Sequence, residues 1–178
     1  MPTWDNCRRA FAWVDHLSPR AIVAVATLGP VGYWGRAPGT NGTVAGLIYF
    51  TLVYPQLSLP AAILVLLVSL YLAVAFCDAA EIRLGRRDPG CVILDEVVVM
   101  PLCFPGVLSA AAERGWPLWT MALAAFAVFR FFDILKPLGI NRIQHLPGGL
   151  GVVVDDVAAA LATCLVLNII VRISWAAL

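Results

Sequence analysis

Two pairs of adjacent carboxylates interrupt apolar runs of the chain. Asp95-Glu96 follows a valine, an isoleucine and a leucine and precedes three valines, and Asp155-Asp156 directly follows three valines. Ionised groups inside apolar segments are costly unless they are paired, hydrated or bound to a metal. Carboxylate oxygens are the ligands that Mg²⁺ and Ca²⁺ prefer, so the two pairs predict an acidic site for one of these cations.

A fifth acid belongs to the same pattern. Asp133 stands three residues after Arg130, so both side chains share one face of a helix. If this helix meets the two acidic helices at one depth, four to six carboxylates surround a small volume. The alternative interpretation is structural: arginine–carboxylate pairs would then simply hold the helices together. We favour the metal site because the acids are more clustered than such pairing requires.

A candidate anion site precedes the first apolar helix. The segment Arg36-Ala37-Pro38-Gly39-Thr40-Asn41-Gly42-Thr43 predicts a turn followed by a helix N-terminus, with Thr40 or Thr43 as the cap. Free backbone N–H groups beside an arginine would bind an anion such as phosphate. A plain turn and helix cap explains the same residues equally well.

Composition places these residues in a membrane protein. Of the 178 residues, 61% are hydrophobic and only 13% are charged, with a formal net charge of +1. Mean hydropathy is +0.88. A soluble domain of this size needs far more polar surface, and the bases form no run that would bind nucleic acid. We therefore expect a single membrane-embedded domain over residues 1–178, without a secretory signal peptide.

Five apolar pieces follow an interfacial segment. That segment is Ala21–Tyr33, and the pieces are Thr43–Tyr54, Ala61–Cys77, Cys91–Ala112, Pro117–Phe132 and Val152–Val171. A bilayer crossing takes about 20 helical residues. The expected fold is therefore all-α: an integral membrane helical bundle of about four to five transmembrane or re-entrant helices, with one interfacial N-terminal helix.

The charges favour five crossings with a cytoplasmic N-terminus. In that topology ten of the twelve bases and nearly all of the acids fall on one side, as the positive-inside rule requires. Four crossings with a re-entrant first piece would spread the arginines over both sides. Acids and anion-binding helix ends at one membrane face indicate phosphoryl chemistry on a lipid headgroup. The residues leave open whether this chemistry is hydrolysis or transfer.

Four motifs in order resemble the phosphatidylglycerophosphatase A family. They are Pro38-Gly39-Thr40-Asn41-Gly42-Thr43, Val92-Ile93-Leu94-Asp95-Glu96, Arg130-Phe131-Phe132-Asp133-Ile134-Leu135-Lys136-Pro137, and Gly148-Gly149-Leu150-Gly151-Val152-Val153-Val154-Asp155-Asp156. Glu81 and Asp88 also resemble the family. The resemblance covers about residues 25–170.

The resemblance implies a Mg²⁺-dependent phosphatase of the bacterial inner membrane with its site on the cytoplasmic side. Such an enzyme removes the terminal phosphate of phosphatidylglycerophosphate to give phosphatidylglycerol. On this basis we assign three sets of site residues. The metal ligands are Asp95, Glu96, Asp133 and Asp155, with Asp156 or Glu96 as the base. The phosphate-binding residues are Arg36, Thr40, Thr43, Arg130 and Lys136, and Glu81 and Asp88 are secondary candidates.

The chain departs from the family pattern at three positions. Val99 and Pro147 replace the family's usual glycine and frequent histidine, and Gly139 interrupts the Lys-Pro-x-Pro ending. None of these changes removes a carboxylate, so we expect them to affect packing and substrate recognition more than the chemistry.

Two other functions remain as alternatives. A lipid phosphotransferase of the CDP-alcohol type is also Mg²⁺-dependent, but its Asp-Gly-x-x-Ala-Arg motif is missing from the sequence. A small cation carrier would place acids on both sides of the membrane. Small residues such as Ala158 and Ala162 could pair helices within the fold or in a homo-oligomer.

Overall fold

The computed structural model describes residues 11–137, 146 and 148–176, with side chains up to residue 173. The regular elements of this part are helices, which confirms the all-α prediction. The α-helices are α1 (Pro19–Ala26), α2 (Pro38–Val53), α3 (Leu59–Leu84), α4 (Leu94–Val99), α5 (Val107–Ala112), α6 (Leu118–Leu135) and α7 (Gly149–Ala176). Short 3-10 turns cover Ala12–His16, Val31–Tyr33, Tyr54–Gln56 and Met100–Cys103.

Three helices are long and apolar enough to cross a bilayer. Mean hydropathy reaches 2.6 in α3, 1.7 in α6 and 2.1 in the Gly149–Ile173 part of α7. Their outward faces carry exposed leucine, isoleucine and phenylalanine, which suits contact with lipid tails. These outward residues include Leu64, Leu67, Leu123, Phe131, Leu161, Leu165 and Ile169. The chain is therefore a helical membrane protein, as its composition predicts.

The first apolar piece begins earlier than predicted. Helix α2 starts at Pro38, so Pro38–Thr43 forms its first turns rather than a loop before it. Its N-cap is Ala37 and no side chain caps the helix, so the expected cap by Thr40 or Thr43 is wrong. Proline fits the first turn because its missing N–H would have had no helical partner there. With 16 residues, α2 is about 24 Å long, shorter than a bilayer core.

The third apolar piece is not one helix, which corrects the prediction of a single span over Cys91–Ala112. It divides into α4, the Met100–Cys103 turn and α5. Pro101 and Pro105 lack the N–H that a continuous helix needs, and Gly106 takes a left-handed φ of 73°. Asn168 of α7 donates a hydrogen bond of 3.0 Å to the carbonyl of Pro105. How many of the shorter elements cross the bilayer stays a prediction.

The N-terminal segment forms a short helix against α3. Ser18 caps α1 by accepting a hydrogen bond from the Ala21 N–H at 3.2 Å. Ile22 and Ala26 are buried, and Arg83 of α3 forms an ion pair of 2.9 Å with Asp15. With eight residues, α1 is too short to span, as expected for the Ala21–Tyr33 segment.

Glycines allow α4 to lie directly on α2. A Cβ atom added at Gly46 would lie 2.9 Å from Met100 Cβ and 3.1 Å from both the Val97 Cα and the Glu96 carbonyl oxygen. Residues Asp95 to Val99 of α4 are all buried. This close approach brings Asp95 and Glu96 to the N-terminal end of α2.

Helix α7 lies at the centre of the bundle and contacts α3, α4, α5 and α6. Its first residue, Gly149, lies so close to α3 that an added Cβ would sit 2.6 Å from the Asp78 nitrogen. The Gly149 N–H donates a 3.2 Å hydrogen bond to Asp78 Oδ1. The start of α7 is therefore fixed against the last turns of α3.

We predict that Gly46→Val destabilises the fold. Two of the three atoms that the new side chain meets belong to the backbone, so they cannot rotate away. Overpacking of this kind costs about 1–3 kcal/mol. Thermal unfolding of the purified protein in detergent measures the loss. Gly90→Ala is the control, because the space around Gly90 is open; equal melting temperatures for the two variants would contradict the close α2–α4 contact.

Candidate active site

The acidic pairs converge on one cavity. It has a volume of about 290 Å³ and lies where the N-terminal end of α2, the C-terminal end of α6, α4 and the early turns of α7 meet. Its charged lining residues are Asp88, Asp95, Glu96, Arg130, Asp133, Lys136, Asp155 and Asp156. Six acids and two bases from four separate sequence regions therefore share one small volume.

Glu96 is held from two sides. Its Oε2 accepts a hydrogen bond of 2.9 Å from Thr43 Oγ1 and one of 3.0 Å from Arg130 Nη1. The side chain rests on the glycine face of α2, where a Cβ at Gly42 would lie 3.0 Å from Oε2. Thr43 is fully buried. The orientation of this carboxylate is therefore determined by α2 and α6 together.

Arg130 connects two carboxylates on different helices. The nitrogen that contacts Glu96 also lies 2.7 Å from Asp133 Oδ2, one turn along α6. A charge-assisted contact of this geometry is stronger than a neutral hydrogen bond. Arg130 thereby fixes the C-terminal end of α6 against α4 and lowers the local negative charge.

Lys136 forms the second cationic contact of the cavity. It terminates α6 in a left-handed conformation with φ of 44° and its Nζ contacts Asp155 Oδ2 on α7. Burial alone would lower the pKa of Lys136, but the hydrogen bond to Asp155 and the negative charges of Asp155, Asp156 and Asp133 together outweigh burial, and the pKa is raised. The lysine therefore stays charged inside the cavity.

Salt bridges alone do not balance the charge. The two cations form ion pairs with Glu96, Asp133 and Asp155, whereas six acids line the cavity. Burial and the neighbouring Glu96 raise the pKa of Asp95 well above its usual range. Burial raises the pKa of Glu96 to about 7, although Arg130 opposes this. Crowded carboxylates with raised pKa values mark a site that lacks positive charge.

The remaining predicted residues lie around the cavity rather than in its wall. Arg36 is exposed and Thr40 is half-buried, and neither lines the cavity. Thr43 contacts Glu96 instead of facing open space. Phosphate binding by these three residues stays a prediction. Pro147 and Gly139 lie outside the described residues, whereas Val99 is buried within α4.

Glu81 supports the loop that carries Asp88. Its Oε1 accepts a hydrogen bond of 2.6 Å from the Asp88 backbone N–H. Asp88 adopts a left-handed φ of 45°, which aspartate tolerates better than most residues. Of the two secondary candidates, Asp88 lines the cavity, while Glu81 lines a separate groove with Arg86 and Arg87.

Sequence reasoning missed the residues that give the cavity its shape. Gly39, Gly90, Val92 and Val152 line it. An added Cβ at Gly39 would collide with the side chains of Glu96 and Arg130. The signal in the sequence was the spacing Gly39, Gly42, Gly46, which repeats along one helical face. It is visible only once Pro38–Thr43 is known to be helical.

The donor set has the chemistry that Mg²⁺ prefers, since the cavity offers carboxylate oxygens and a deficit of positive charge. In the described part of the chain, no group of three or more acidic, histidine or cysteine side chains is close enough together to hold a metal ion. The residues therefore match the cation in ligand type and charge, whereas their spacing does not form a ligand set, and Mg²⁺ binding stays a prediction.

Similarity to known proteins identifies the family. The model of the family described as phosphatidylglycerophosphatase A matches residues 24–171. The chain belongs to the phosphatidylglycerophosphatase A family. All of the candidate site residues lie within the matched region. The family assignment makes the protein a phosphatase and confirms the resemblance that the four motifs indicate.

Two curated relatives are similar to most of the chain. Phosphatidylglycerophosphatase A of Haemophilus influenzae is 34% identical over 131 residues, which cover 73% of this chain and 76% of the relative. A Bacteroides thetaiotaomicron protein with the provisional name phosphatidylinositol-3-phosphatase is 35% identical over 133 residues, or 72% and 79% of the two chains. No solved structure is significantly similar to the chain.

We predict that Thr43→Val slows phosphate release about tenfold. The substitution preserves shape but removes the hydroxyl that orients Glu96, and a hydrogen bond to a charged group contributes about 1.5–3 kcal/mol. Steady-state kinetics on a lipid phosphate measure the change. Thr51→Val is the matched control, because Thr51 is an exposed threonine of the same helix and does not line the cavity. Equal rates for the two variants would show that the Thr43 contact is unimportant.

Proposed function

We propose that the protein hydrolyses phosphatidylglycerophosphate to phosphatidylglycerol and inorganic phosphate, with Mg²⁺, in bacterial glycerophospholipid synthesis. The observation that carries this proposal is the position of the cavity. Six carboxylates and two cations meet at one end of a bundle of apolar helices, at the level where a phospholipid headgroup would lie. The name of the Haemophilus influenzae relative supports the same substrate.

Exposed apolar surface continues from the cavity along α6. Phe131, Ile134 and Leu135 are 53%, 65% and 61% exposed, and they neighbour Arg130, Asp133 and Lys136 in sequence. A lipid lying against α6 would keep its acyl chains in the bilayer while its phosphate reaches the cavity. This placement explains why a phosphatase site is built at the end of a transmembrane helix.

In the proposed mechanism Asp95, Glu96, Asp133 and Asp155 would hold Mg²⁺. When bound, the cation would polarise the phosphate and lower the pKa of a water molecule. Arg130 and Lys136 would bind the phosphate oxygens and offset the charge that develops on them. Asp156 or Glu96 would accept the proton of the attacking water. Water adds at phosphorus, the bond to the glycerol oxygen breaks, and that oxygen would take up the proton that Asp156 or Glu96 accepted, which gives the hydroxyl of phosphatidylglycerol.

The charge distribution supports a site that faces the cytoplasm. Most basic residues of the described part lie at the cavity end of the helices, and the positive-inside rule assigns such an end to the cytoplasm. These residues are Arg20, Arg36, Arg83, Arg86, Arg87, Arg130 and Lys136, whereas Arg114 and Arg172 lie towards the other end.

We predict that Asp95→Asn and Asp133→Asn each reduce phosphate release by about 100-fold or more. Each substitution keeps the shape of the side chain but removes a charged oxygen ligand from the cavity. Glu113→Gln is the control, because Glu113 is exposed and lies outside the cavity. Near-normal turnover by either aspartate variant, with the protein correctly inserted, would refute the carboxylate mechanism.

We also predict that chelation of Mg²⁺ abolishes phosphate release and that readdition restores it. The assay uses phosphatidylglycerophosphate, phosphatidic acid and phosphatidylinositol-3-phosphate, so it also tests the substrate named for the Bacteroides relative. Faster release from the inositol lipid would reassign the substrate. Activity that survives chelation would remove Mg²⁺ from the mechanism.

The purified protein used in these assays also tests the two alternative functions, a lipid phosphotransferase and a cation carrier. A CDP-alcohol phosphotransferase would release CMP from a CDP-activated lipid, and a cation carrier would move Mg²⁺ into liposomes. We expect neither activity, since six of the ten described acids gather around one cavity at one end of the bundle. Cation flux without phosphate release would favour the carrier.

A further inference from the structure

An amphipathic groove beside α1 lies outside the cavity of the candidate active site. It has a volume of about 470 Å³ and runs between α1 and the last turn of α3. Val23, Ala24 and Pro19 form apolar walls, and Arg20, Arg83 and Tyr33 add polar groups. No lining residue is shared with the cavity of the candidate active site. The groove is therefore a separate feature of the surface.

The two arginines of the groove differ in whether a described acid forms an ion pair with them. Arg83 forms an ion pair of 2.9 Å with Asp15, and its side chain is 21% exposed. The side chain of Arg20 is exposed and makes no hydrogen bond or ion pair within the described part of the chain. The groove thus offers one uncompensated positive charge beside an apolar wall. This combination complements a ligand with one negative charge and a hydrocarbon tail.

Neighbouring residues place the groove at the depth of lipid headgroups. Arg83 lies in the last turn of the apolar helix α3. Tyr33 and Trp34 are 56% and 76% exposed, and tyrosine and tryptophan are enriched where a membrane meets water. Asn41 of α2 fixes this corner by donating hydrogen bonds to the carbonyls of Val31 at 3.2 Å and Trp34 at 2.6 Å.

The geometry points to a binding site for an anionic phospholipid of the surrounding bilayer. Its phosphodiester would contact Arg20, with Arg83 beside it, and one acyl chain would lie along Val23 and Ala24. Basic pockets beside transmembrane helices bind lipid headgroups in this way. A diester carries one negative charge, which matches the single uncompensated arginine better than the dianionic monoester that a phosphatase hydrolyses.

The groove is also connected to the segment that leads into α4. The Ile93 N–H donates a 3.0 Å hydrogen bond to the carbonyl of Ala26, at the end of α1. Gly32 lies against the Cys91 carbonyl so closely that an added Cβ would collide with it. A lipid in the groove would therefore stabilise the same segment that carries Asp95 and Glu96, and we expect it to raise the melting temperature.

The test measures lipid binding to the full-length protein in detergent by native mass spectrometry. Phosphatidylserine is the probe, because it is a phosphodiester lipid with a net charge of minus one. Phosphatidylcholine is the comparison, because the charge of its phosphodiester is balanced within the headgroup by choline. We expect Arg20→Gln to weaken phosphatidylserine binding about fivefold, the effect of one basic residue near an anionic surface. Arg86→Gln is the matched control, since Arg86 is exposed at the same end of α3 but outside the groove.

A second variant tests the apolar wall. Ala24→Trp keeps both arginines but fills the groove, so it should also reduce binding of phosphatidylserine. Melting curves recorded without lipid show whether each variant is folded. Equal binding of the two lipids, equal binding by Arg20→Gln and Arg86→Gln, or full displacement of the lipid by inorganic phosphate would overturn the proposal. Binding is measured without turnover, so this result is independent of the proposed phosphatase reaction.

Discussion

The crowding of carboxylates at the end of an apolar bundle is the constraint around which the rest of this structure is arranged. Six acids line a cavity of about 290 Å³, and two cations share it. Like charges that share one cavity repel one another strongly when water is scarce. The surrounding elements must therefore hold the acids in place, and much of the local architecture around the cavity does so.

Three sets of contacts hold the acids in place. The glycine face of α2 lets α4 approach closely enough for Thr43 to hydrogen-bond Glu96. Arg130 joins Glu96 to Asp133, and Lys136 joins the end of α6 to Asp155. Each set of contacts links two helices, so the shape of the cavity depends on the relative positions of α2, α4, α6 and α7. This dependence explains why a short helix such as α4, buried from Asp95 to Val99, lies inside a membrane bundle.

The molecule is also divided along the helix axes into an apolar part that faces lipid and a charged part that forms the site. The exposed faces of α3, α6 and α7 are apolar, while the charges gather where these helices end. A headgroup phosphatase needs this division, because its substrate is apolar along most of its length and charged at one end. The groove between α1 and α3 shows the same division on a smaller scale, with an arginine above an apolar wall.

The sequence by itself determined the fold class, the family and the set of acids that meet at the cavity. Composition and apolar periodicity depend on single residues and their neighbours, so Asp95, Glu96, Asp133, Asp155 and Asp156 could be selected by their unusual apolar surroundings. Only the tertiary structure decided that the helix over Cys91–Ala112 is interrupted at its prolines and that Pro38–Thr43 is helical. It also decided that the Thr43 hydroxyl donates a hydrogen bond to Glu96. The physical reason is that these features depend on contacts between residues far apart in the chain. Glycines of α2 allow α4 to pack closely against it, and the Thr43 hydroxyl then reaches a carboxylate 53 positions away.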